Sequence, residues 1–155
     1  MIRTFNGIGT LLLVAAGAQA QAPTEEPKCT NETLKGTYGV FLSGTRPAPS
    51  VPVGQPGYVG QMEQVIGTVI QISDGKGGFT QVDNLKGTIS GFAPDRPGKG
   101  TYTVNPDCSV ISVVSPAPGV QIITKGVIVD GGKEIRGFTV TPETINLTVI
   151  SRRMN

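Results

Sequence analysis

Apolar and polar residues alternate with a period of two over most of the chain. The clearest segment runs from residue 144 to 149, where Ile145, Leu147 and Val149 are separated by polar residues. This period is that of a β-strand with one buried face. Within residues 21–155, Val, Ile and Thr number 42, whereas Ala and Leu number only 8. Because β-branched residues favour pleated structure, the sequence predicts an all-β protein with minimal helix.

Eight strands are predicted, separated by segments that carry glycine or proline. They span residues 34–45, 62–73, 79–91, 99–105, 108–115, 120–130, 133–141 and 144–152. The predicted turns include DGKGG at 74–78, APDRPG at 93–98 and GG at 131–132, since glycine adopts positive φ without steric cost. The segment 46–61 holds four prolines and is predicted to be a long loop rather than a central strand.

The short connections favour an antiparallel meander, because parallel neighbours would need long crossovers. Eight twisted strands can close on themselves and so remove both exposed sheet edges. Glycines inside the predicted strands, such as Gly67, Gly126 and Gly137, favour the tight bending that closure requires. The sequence therefore predicts an eight-stranded antiparallel up-and-down β-barrel. The alternative is a two-sheet β-sandwich.

Residues 1–20 have the features of a secretory signal peptide. A basic residue near the start is followed by an apolar stretch over 8–16 and an Ala-x-Ala motif that ends at Ala20. The stretch is too short to span a bilayer, which needs roughly 20 apolar residues. Cleavage is predicted after Ala20, with Ala22 as the second choice. We therefore expect a secreted or periplasmic protein without a membrane span.

Residues 21–33 are polar and contain proline, which predicts a flexible leader ahead of a single domain over 34–155.

The two cysteines agree with export. Cys29 and Cys108 are the only cysteines and lie 79 positions apart. In an oxidising compartment such a pair forms a disulfide more often than a reactive thiol site. The chain-entropy model assigns a loop of this size about 4 kcal/mol of stabilisation.

Three sequence blocks resemble a known family of barrels. They are LKGTYG at 34–39, DGKGGFT at 74–80 and GTYTVNPDC at 100–108. Together with Cys29, they are similar to blocks in a group of small secreted proteins, chiefly bacterial, with an allene oxide cyclase-like, calycin-type barrel. The resemblance implies an eight-stranded barrel with a small apolar cavity. No catalytic motif of the plant cyclase matches positions in this chain, so the resemblance does not extend to cyclase activity.

Composition excludes several classes of chemistry. The chain has no His, and 13 basic against 11 acidic residues give a net charge of +2. Without histidine there is no Ser-His-Asp or Cys-His catalysis and no histidine zinc site. The small net charge gives little attraction to nucleic acid. We accordingly predict no nucleic-acid partner, no metal site and no cofactor, and the oligomeric state stays open.

Five residues are candidates for a site. Glu63, at the start of the second predicted strand, could act as a general base if burial raises its pKa; the alternative is a solvated carboxylate at a strand end. Arg136 could bind a ligand carboxylate or point to solvent. Tyr38, Phe41 and Tyr102 could line a ligand pocket, or the aromatic side chains could fill the barrel as a plug.

These observations favour a secreted, non-enzymatic β-barrel that binds a small apolar ligand. One alternative is an isomerase or cyclase that acts on an oxidised lipid with Glu63 as acid or base. Another is an extracellular or envelope interaction module that uses the loop 46–61, because long loops often carry function. Two sequons, at Asn31 and Asn146, are relevant only in a eukaryotic secretory pathway.

Overall fold

A computed structural model describes residues 28–48, 61–117 and 119–155. The predicted signal peptide, the first part of the leader and most of the predicted long loop lie outside the described residues. Eight antiparallel strands close into a barrel in chain order, which confirms the predicted fold. The strands are β1 Gly36–Pro47, β2 Met62–Ser73, β3 Gly78–Gly87, β4 Gly91–Val104, β5 Ser109–Ala117, β6 Val120–Val129, β7 Glu134–Thr141 and β8 Asn146–Arg153.

The period-two pattern assigns one face of each strand to the interior. In β2 the buried and exposed positions alternate almost throughout. Glu63, Val65 and Val69 are buried, whereas Ile66 and Ile70, which follow Val65 and Val69, are about half exposed. Pairing of β1 with β8 completes the ring. Closure gives each of the eight described strands a partner on both sides, so the sheet they form has no free edge.

The lower end of the barrel, here called the base, is closed by a 3-10 helix at Asn31–Leu34. Leu34 is only 3% exposed, and the Asn31 side-chain oxygen accepts a hydrogen bond from the Val104 N–H at 2.8 Å. Residues 29–33 therefore form a cap on the barrel end, where Cys29 is fixed covalently and the helix packs.

The disulfide between Cys29 and Cys108 is formed, as predicted, with the two Cα atoms 5.0 Å apart. The Cys29 N–H also donates a hydrogen bond to the Pro106 carbonyl at 3.4 Å. Cys29 belongs to the main hydrophobic core, together with Leu34 and Tyr38. The bond thus ties the cap to the turn between β4 and β5 at the base.

The predicted turn at 93–98 is wrong, because this segment lies inside β4. The chain instead turns between Gly87 and Gly91, which pair directly. The register shifts opposite Asn84, whose side-chain oxygen accepts a hydrogen bond from the Asp95 N–H at 3.1 Å. Asp95 has a φ of 47°. The segment around Pro94 therefore forms a β-bulge within β4. The bulge accommodates the proline without ending the strand.

Two facing glycines allow β6 and β7 to approach closely. Gly126 and Gly137 are register partners. A Cβ atom on Gly126 would lie 2.7 Å from the Arg136 carbonyl oxygen, and one on Gly137 would lie 2.7 Å from the Lys125 carbonyl oxygen. Any larger residue at either position would have to displace backbone, so this part of the wall requires glycine.

Candidate functional site

The barrel encloses a cavity of about 340 Å³. This volume is at the lower end of the range for small-molecule pockets, about 300 to 1,000 Å³. The cavity extends from Leu34 at the base to Arg46 and Pro47 at the end of β1. Most of its wall is aliphatic or aromatic, and representative lining residues are Val40, Val69, Phe79, Val110, Ile122 and Leu147.

Three small hydroxyl residues form a row on the wall of this cavity, here called the hydroxyl row. Ser112, Thr124 and Thr139 all line the cavity. Ser112 is the register partner of Thr124, and Thr124 is the register partner of Thr139. The row therefore crosses β5, β6 and β7 side by side. It gives the part of the wall formed by β5 to β7 side chains that can form hydrogen bonds.

Thr139 has an unusual position within the hydroxyl row. Its side chain is buried, with 7% of the residue exposed. Its Oγ1 atom has no hydrogen-bond partner in the part of the chain that the structure describes. Buried polar atoms are nearly always hydrogen-bonded in folded proteins. The Thr139 hydroxyl is therefore an unsatisfied polar group packed within the barrel wall.

An ion pair lies on another part of the cavity wall. Asp83 on β3 and Arg96 on β4 are register partners, and the Arg96 Nε donates to Asp83 Oδ1 at 2.7 Å. Both residues line the cavity. Gln71 and Gln81, which pair across β2 and β3, line it as well. The wall formed by β2 to β4 thus combines charged and amide groups, but its two charges cancel.

Glu63 is part of a second ion pair at the upper end of the barrel. It is 1% exposed, and its Oε1 accepts a hydrogen bond from the Arg46 Nε at 2.8 Å. Its Oε2 accepts hydrogen bonds from the N–H groups of Ile89 at 3.1 Å and Ser90 at 2.9 Å. The Ser90 hydroxyl donates to the same carboxylate. The pair holds the Arg46 guanidinium at the cavity wall.

The expectation that Glu63 has a raised pKa is wrong. Burial does raise its pKa, but the hydrogen bonds from Ser90, Arg46 and Ile89 together outweigh burial and lower the pKa to about 2. Each of these donors favours the ionised carboxylate. Near neutral pH the group is therefore a permanently charged partner of Arg46. It is a poor general base, because efficient proton transfer needs a pKa near the working pH.

The two predicted tyrosines lie at the base. Tyr38 is fully buried, and its hydroxyl donates to the Gly132 carbonyl at 2.7 Å and accepts from the Arg153 Nη2 at 2.9 Å. Tyr102 lines the lower cavity, and its hydroxyl accepts a hydrogen bond from the Gly75 N–H at 3.0 Å. The two side chains fill the base of the barrel, and the cavity remains above them.

Phe41 and Arg136 lie on the outer surface. Phe41 is 50% exposed and alternates with Val40 and Leu42, which line the cavity. The Arg136 Nε hydrogen-bonds to Glu134 Oε1, and its side chain is largely exposed. A strand's period of two fixes both orientations, since neighbouring residues point to opposite faces. The structure therefore does not bring these two residues together with Tyr102 in the cavity.

Sequence reasoning did not identify Thr139, Asp83 or Arg96 as site residues. Thr139 lies two residues after Gly137, which lines the cavity. The alternation of β7 therefore predicts that Thr139 is on the inner face of the strand. Arg96 fell in a segment predicted to be a turn. Pairing with β3 is regular from Arg96 to Thr101, so Arg96 has the same parity as the buried Tyr102, and its orientation follows once β4 is known to include it.

A metal centre and a membrane-spanning helix are both absent from the described residues. Within residues 28–48, 61–117 and 119–155, no three His, Cys, Asp or Glu side chains are grouped so that they could hold a metal ion. The helices of this same part of the chain are all too short or too polar to cross a membrane.

Asn31 is engaged at the base cap, whereas Asn146 begins β8 and is exposed. Glycosylation at either sequon stays a prediction.

The chain was compared with known families, curated proteins and solved structures. None of the family models, curated proteins or solved structures matches it.

Proposed function

We propose that this protein is a non-enzymatic binding protein that holds a small apolar ligand inside its barrel. The observation that carries the proposal is the cavity of about 340 Å³ with its mainly apolar wall. Small-molecule sites have this character: a concave apolar space with a few polar groups. The capped base supports the proposal, because it leaves a pocket rather than a channel through the barrel.

The chemistry of Glu63 favours binding over the isomerase or cyclase alternative. A carboxylate with a pKa of about 2 is almost fully ionised near neutral pH and has little tendency to take a proton. The carboxylate that lines the cavity, Asp83, is paired with Arg96. We therefore favour a role for both carboxylates in fixing arginine side chains rather than in turnover.

A cavity-filling variant tests the proposal. The probe is N-phenylnaphthylamine, a neutral fluorophore whose emission rises in apolar surroundings. Val114 lines the cavity, so Val114→Phe places an aromatic ring in the free space and should weaken binding of the probe. Val82 lies on the outer surface and is 43% exposed, so Val82→Phe adds the same side-chain volume outside and should leave binding unchanged.

Two outcomes would contradict the proposed binding site. If the wild-type protein leaves the fluorescence of the probe unchanged, or if both phenylalanine variants bind it equally well, the interior is not the binding site. Thermal unfolding of each variant should accompany the titration, because overpacking a core costs about 1 to 3 kcal/mol. Native mass spectrometry of the protein purified from its host gives an independent readout, since a bound ligand would appear as a constant mass increase.

We also propose that the protein is secreted or periplasmic and is related to the allene oxide cyclase-like barrel group. The N-terminal sequence pattern and the disulfide between Cys29 and Cys108 support export, because such bonds persist in oxidising compartments. The closed eight-stranded barrel supports the relationship at the level of fold. Comparison of the N-terminal residue of the exported protein with residue 21 would test the predicted cleavage after Ala20.

A further inference from the structure

Four neighbouring positions on β3 and β4 form a polar area on the inner wall of the barrel. Gln81 and Asp83 lie two residues apart on β3, and both line the cavity. Their register partners on β4 are Gly98 and Arg96, respectively. Because residues two apart in a strand point to the same face, these four residues form one group on the inner wall, here called the polar block.

Two side chains of the polar block are accessible from the cavity. Arg96 lines the cavity, and its side chain is 42% exposed. Gln81 also lines the cavity and is partly exposed. A Cβ atom on Gly98 would lie only 3.3 Å from the Gln81 Nε2, so the Gln81 carboxamide lies over β4, at the inward position next to Arg96.

Both accessible side chains have hydrogen-bonding groups that the fold leaves available. Arg96 uses its Nε, which donates to Asp83 Oδ1 at 2.7 Å. Its two Nη groups and the Gln81 carboxamide form no hydrogen bond within the part of the chain that the structure describes. A guanidinium only donates hydrogen bonds, whereas a carboxamide both donates and accepts them. The polar block therefore presents several donors and one amide acceptor.

The charges of the polar block favour an uncharged partner. Asp83 neutralises Arg96, and the other arginine on the wall, Arg46, is bound to Glu63 at 2.8 Å. A carboxylate ligand at the polar block would lose its hydration and would meet the Asp83 carboxylate beside the guanidinium. An uncharged carbonyl group accepts the same hydrogen bonds and desolvates at lower cost.

We propose that the cavity binds a neutral amphipathic molecule with a carbonyl group, such as a fatty amide, whose carbonyl oxygen accepts hydrogen bonds from Gln81 and Arg96. The apolar body of this ligand lies against the aliphatic wall, for example Val110, Ile122 and Leu147. The inference rests on the proposed function, because it names the ligand class for the same cavity. It excludes a fatty acid, whose carboxylate is charged at neutral pH.

Three probes of equal chain length test the selection for a neutral head group. Octane, octanamide and octanoate are each titrated at pH 7 against protein that carries N-phenylnaphthylamine, and their Kd values follow from the displacement curves. For the wild-type protein we expect octanamide to bind at least about tenfold more tightly than octanoate, because a buried carboxylate is costly. Equal or tighter binding of octanoate would overturn the proposal.

Substitution of Gln81 tests the hydrogen bond at the polar block. Gln81→Leu removes the carboxamide and keeps a side chain of similar size. It should weaken octanamide about fivefold, the factor expected for one neutral hydrogen bond, and should not weaken octane. The matched control is Gln64→Leu, which makes the same change at an exposed position of β2 and should leave the Kd values of both probes unchanged.

Substitution of Asp83 tests the origin of the charge selection. Asp83→Asn leaves the Arg96 guanidinium without a charged partner at the cavity wall. Because hydrogen bonds between two charged groups are stronger than those between neutral groups, octanoate should bind this variant about tenfold more tightly than it binds the wild type. An unchanged Kd for octanoate would show that the ion pair does not exclude anions.

The outcomes distinguish failure of this inference from failure of the proposed function. If neither the fluorophore nor octane binds, the cavity takes up no apolar ligand and both proposals fail. If they bind, but Gln81→Leu weakens octane as much as octanamide, or weakens neither, only this inference fails. Thermal unfolding identifies any variant that does not fold, and in that case the comparison of octanamide with octanoate on the wild-type protein still decides the selection for a neutral ligand.

Discussion

Replacing Glu63 with glutamine removes one negative charge from a buried ion pair and changes the side-chain volume little. In the native protein the carboxylate accepts hydrogen bonds from Arg46, Ile89 and Ser90. Glutamine can accept through one oxygen only, and its NH₂ group would face one of these donors. We therefore expect Glu63→Gln to destabilise the fold and to leave Arg46 without its charged partner.

The pKa of Glu63 gives the magnitude. The folded protein lowers it from 4.5 to about 2, and a shift of one unit corresponds to about 1.4 kcal/mol. The ionised carboxylate therefore contributes about 3 kcal/mol to the free energy of unfolding at neutral pH. Because the folded pKa lies below the unfolded one, this contribution is complete well above pH 4.5 and is lost as the pH falls towards 2.

Urea unfolding at a series of pH values measures the effect. At pH 7 Glu63→Gln should unfold at a lower urea concentration than the wild type, and at about pH 2 the two curves should converge. Glu143, which is exposed, provides the matched control, and Glu143→Gln should follow the wild type throughout. Equal stability of Glu63→Gln and wild type at pH 7, or a difference that does not shrink in acid, would refute the assigned role of this carboxylate.

A double-mutant cycle separates the ion pair from the other hydrogen bonds. Arg46→Met leaves the buried Glu63 carboxylate without its guanidinium, and breaking a buried pair in this way typically costs about 3 to 5 kcal/mol. The Arg46→Met/Glu63→Gln double variant removes both charges and should lose less than the sum of the single losses. Strict additivity would mean that the two side chains do not stabilise each other.

Three further changes test the base and the wall of the barrel. Replacing both Cys29 and Cys108 with alanine should lower the free energy of unfolding by about 4 kcal/mol in the chain-entropy model, measured by urea unfolding under non-reducing conditions. Tyr38→Phe removes the hydroxyl that bonds Gly132 and Arg153 and should cost about 1 to 3 kcal/mol in the same assay. Gly126→Val should prevent folding, as judged by circular dichroism, because its Cβ would lie 2.7 Å from a backbone oxygen; a soluble β-rich product would contradict this.

Much of the barrel could be predicted because its local signals agree with the fold. Tyr38, Val40 and Leu42 share a predicted face, and all three have side chains on the inner side of β1, buried or partly buried. β-Branched residues at alternating positions specify strands, and short connections specify antiparallel neighbours. Where strand period, propensity and turn chemistry agree, the sequence determines the architecture without further information.

The same alternation by itself excludes Phe41 from the pocket. Phe41 has odd parity, whereas Tyr38 and Leu42 have even parity, so a regular strand cannot place all three on one face. The prediction that Tyr38 and Phe41 line one pocket therefore conflicts with the strand assignment itself. Parity within a strand is a stricter guide to a site than the chemical type of a side chain.

Glu63 and Arg96 could not be predicted because their environments depend on long-range pairing. The N–H donors to Glu63 come from Ile89 and Ser90 in a turn that the sequence pattern placed elsewhere. Arg96 lies in a segment whose prolines and glycine predict a turn, whereas pairing with β3 makes the segment part of β4. Both features arise from the pairing of neighbouring strands, so no local period or propensity could reveal them.

The polar groups of the interior support a binding role more than a catalytic one. General acid or base catalysis requires a group whose pKa lies near the working pH and which is free to exchange its proton. On the described wall of the cavity, Arg46 and Arg96 are each bound to a carboxylate. The partner of Arg46, Glu63, remains ionised far below neutral pH. An interior whose charged groups are already paired is better suited to holding a molecule by shape than to moving its protons.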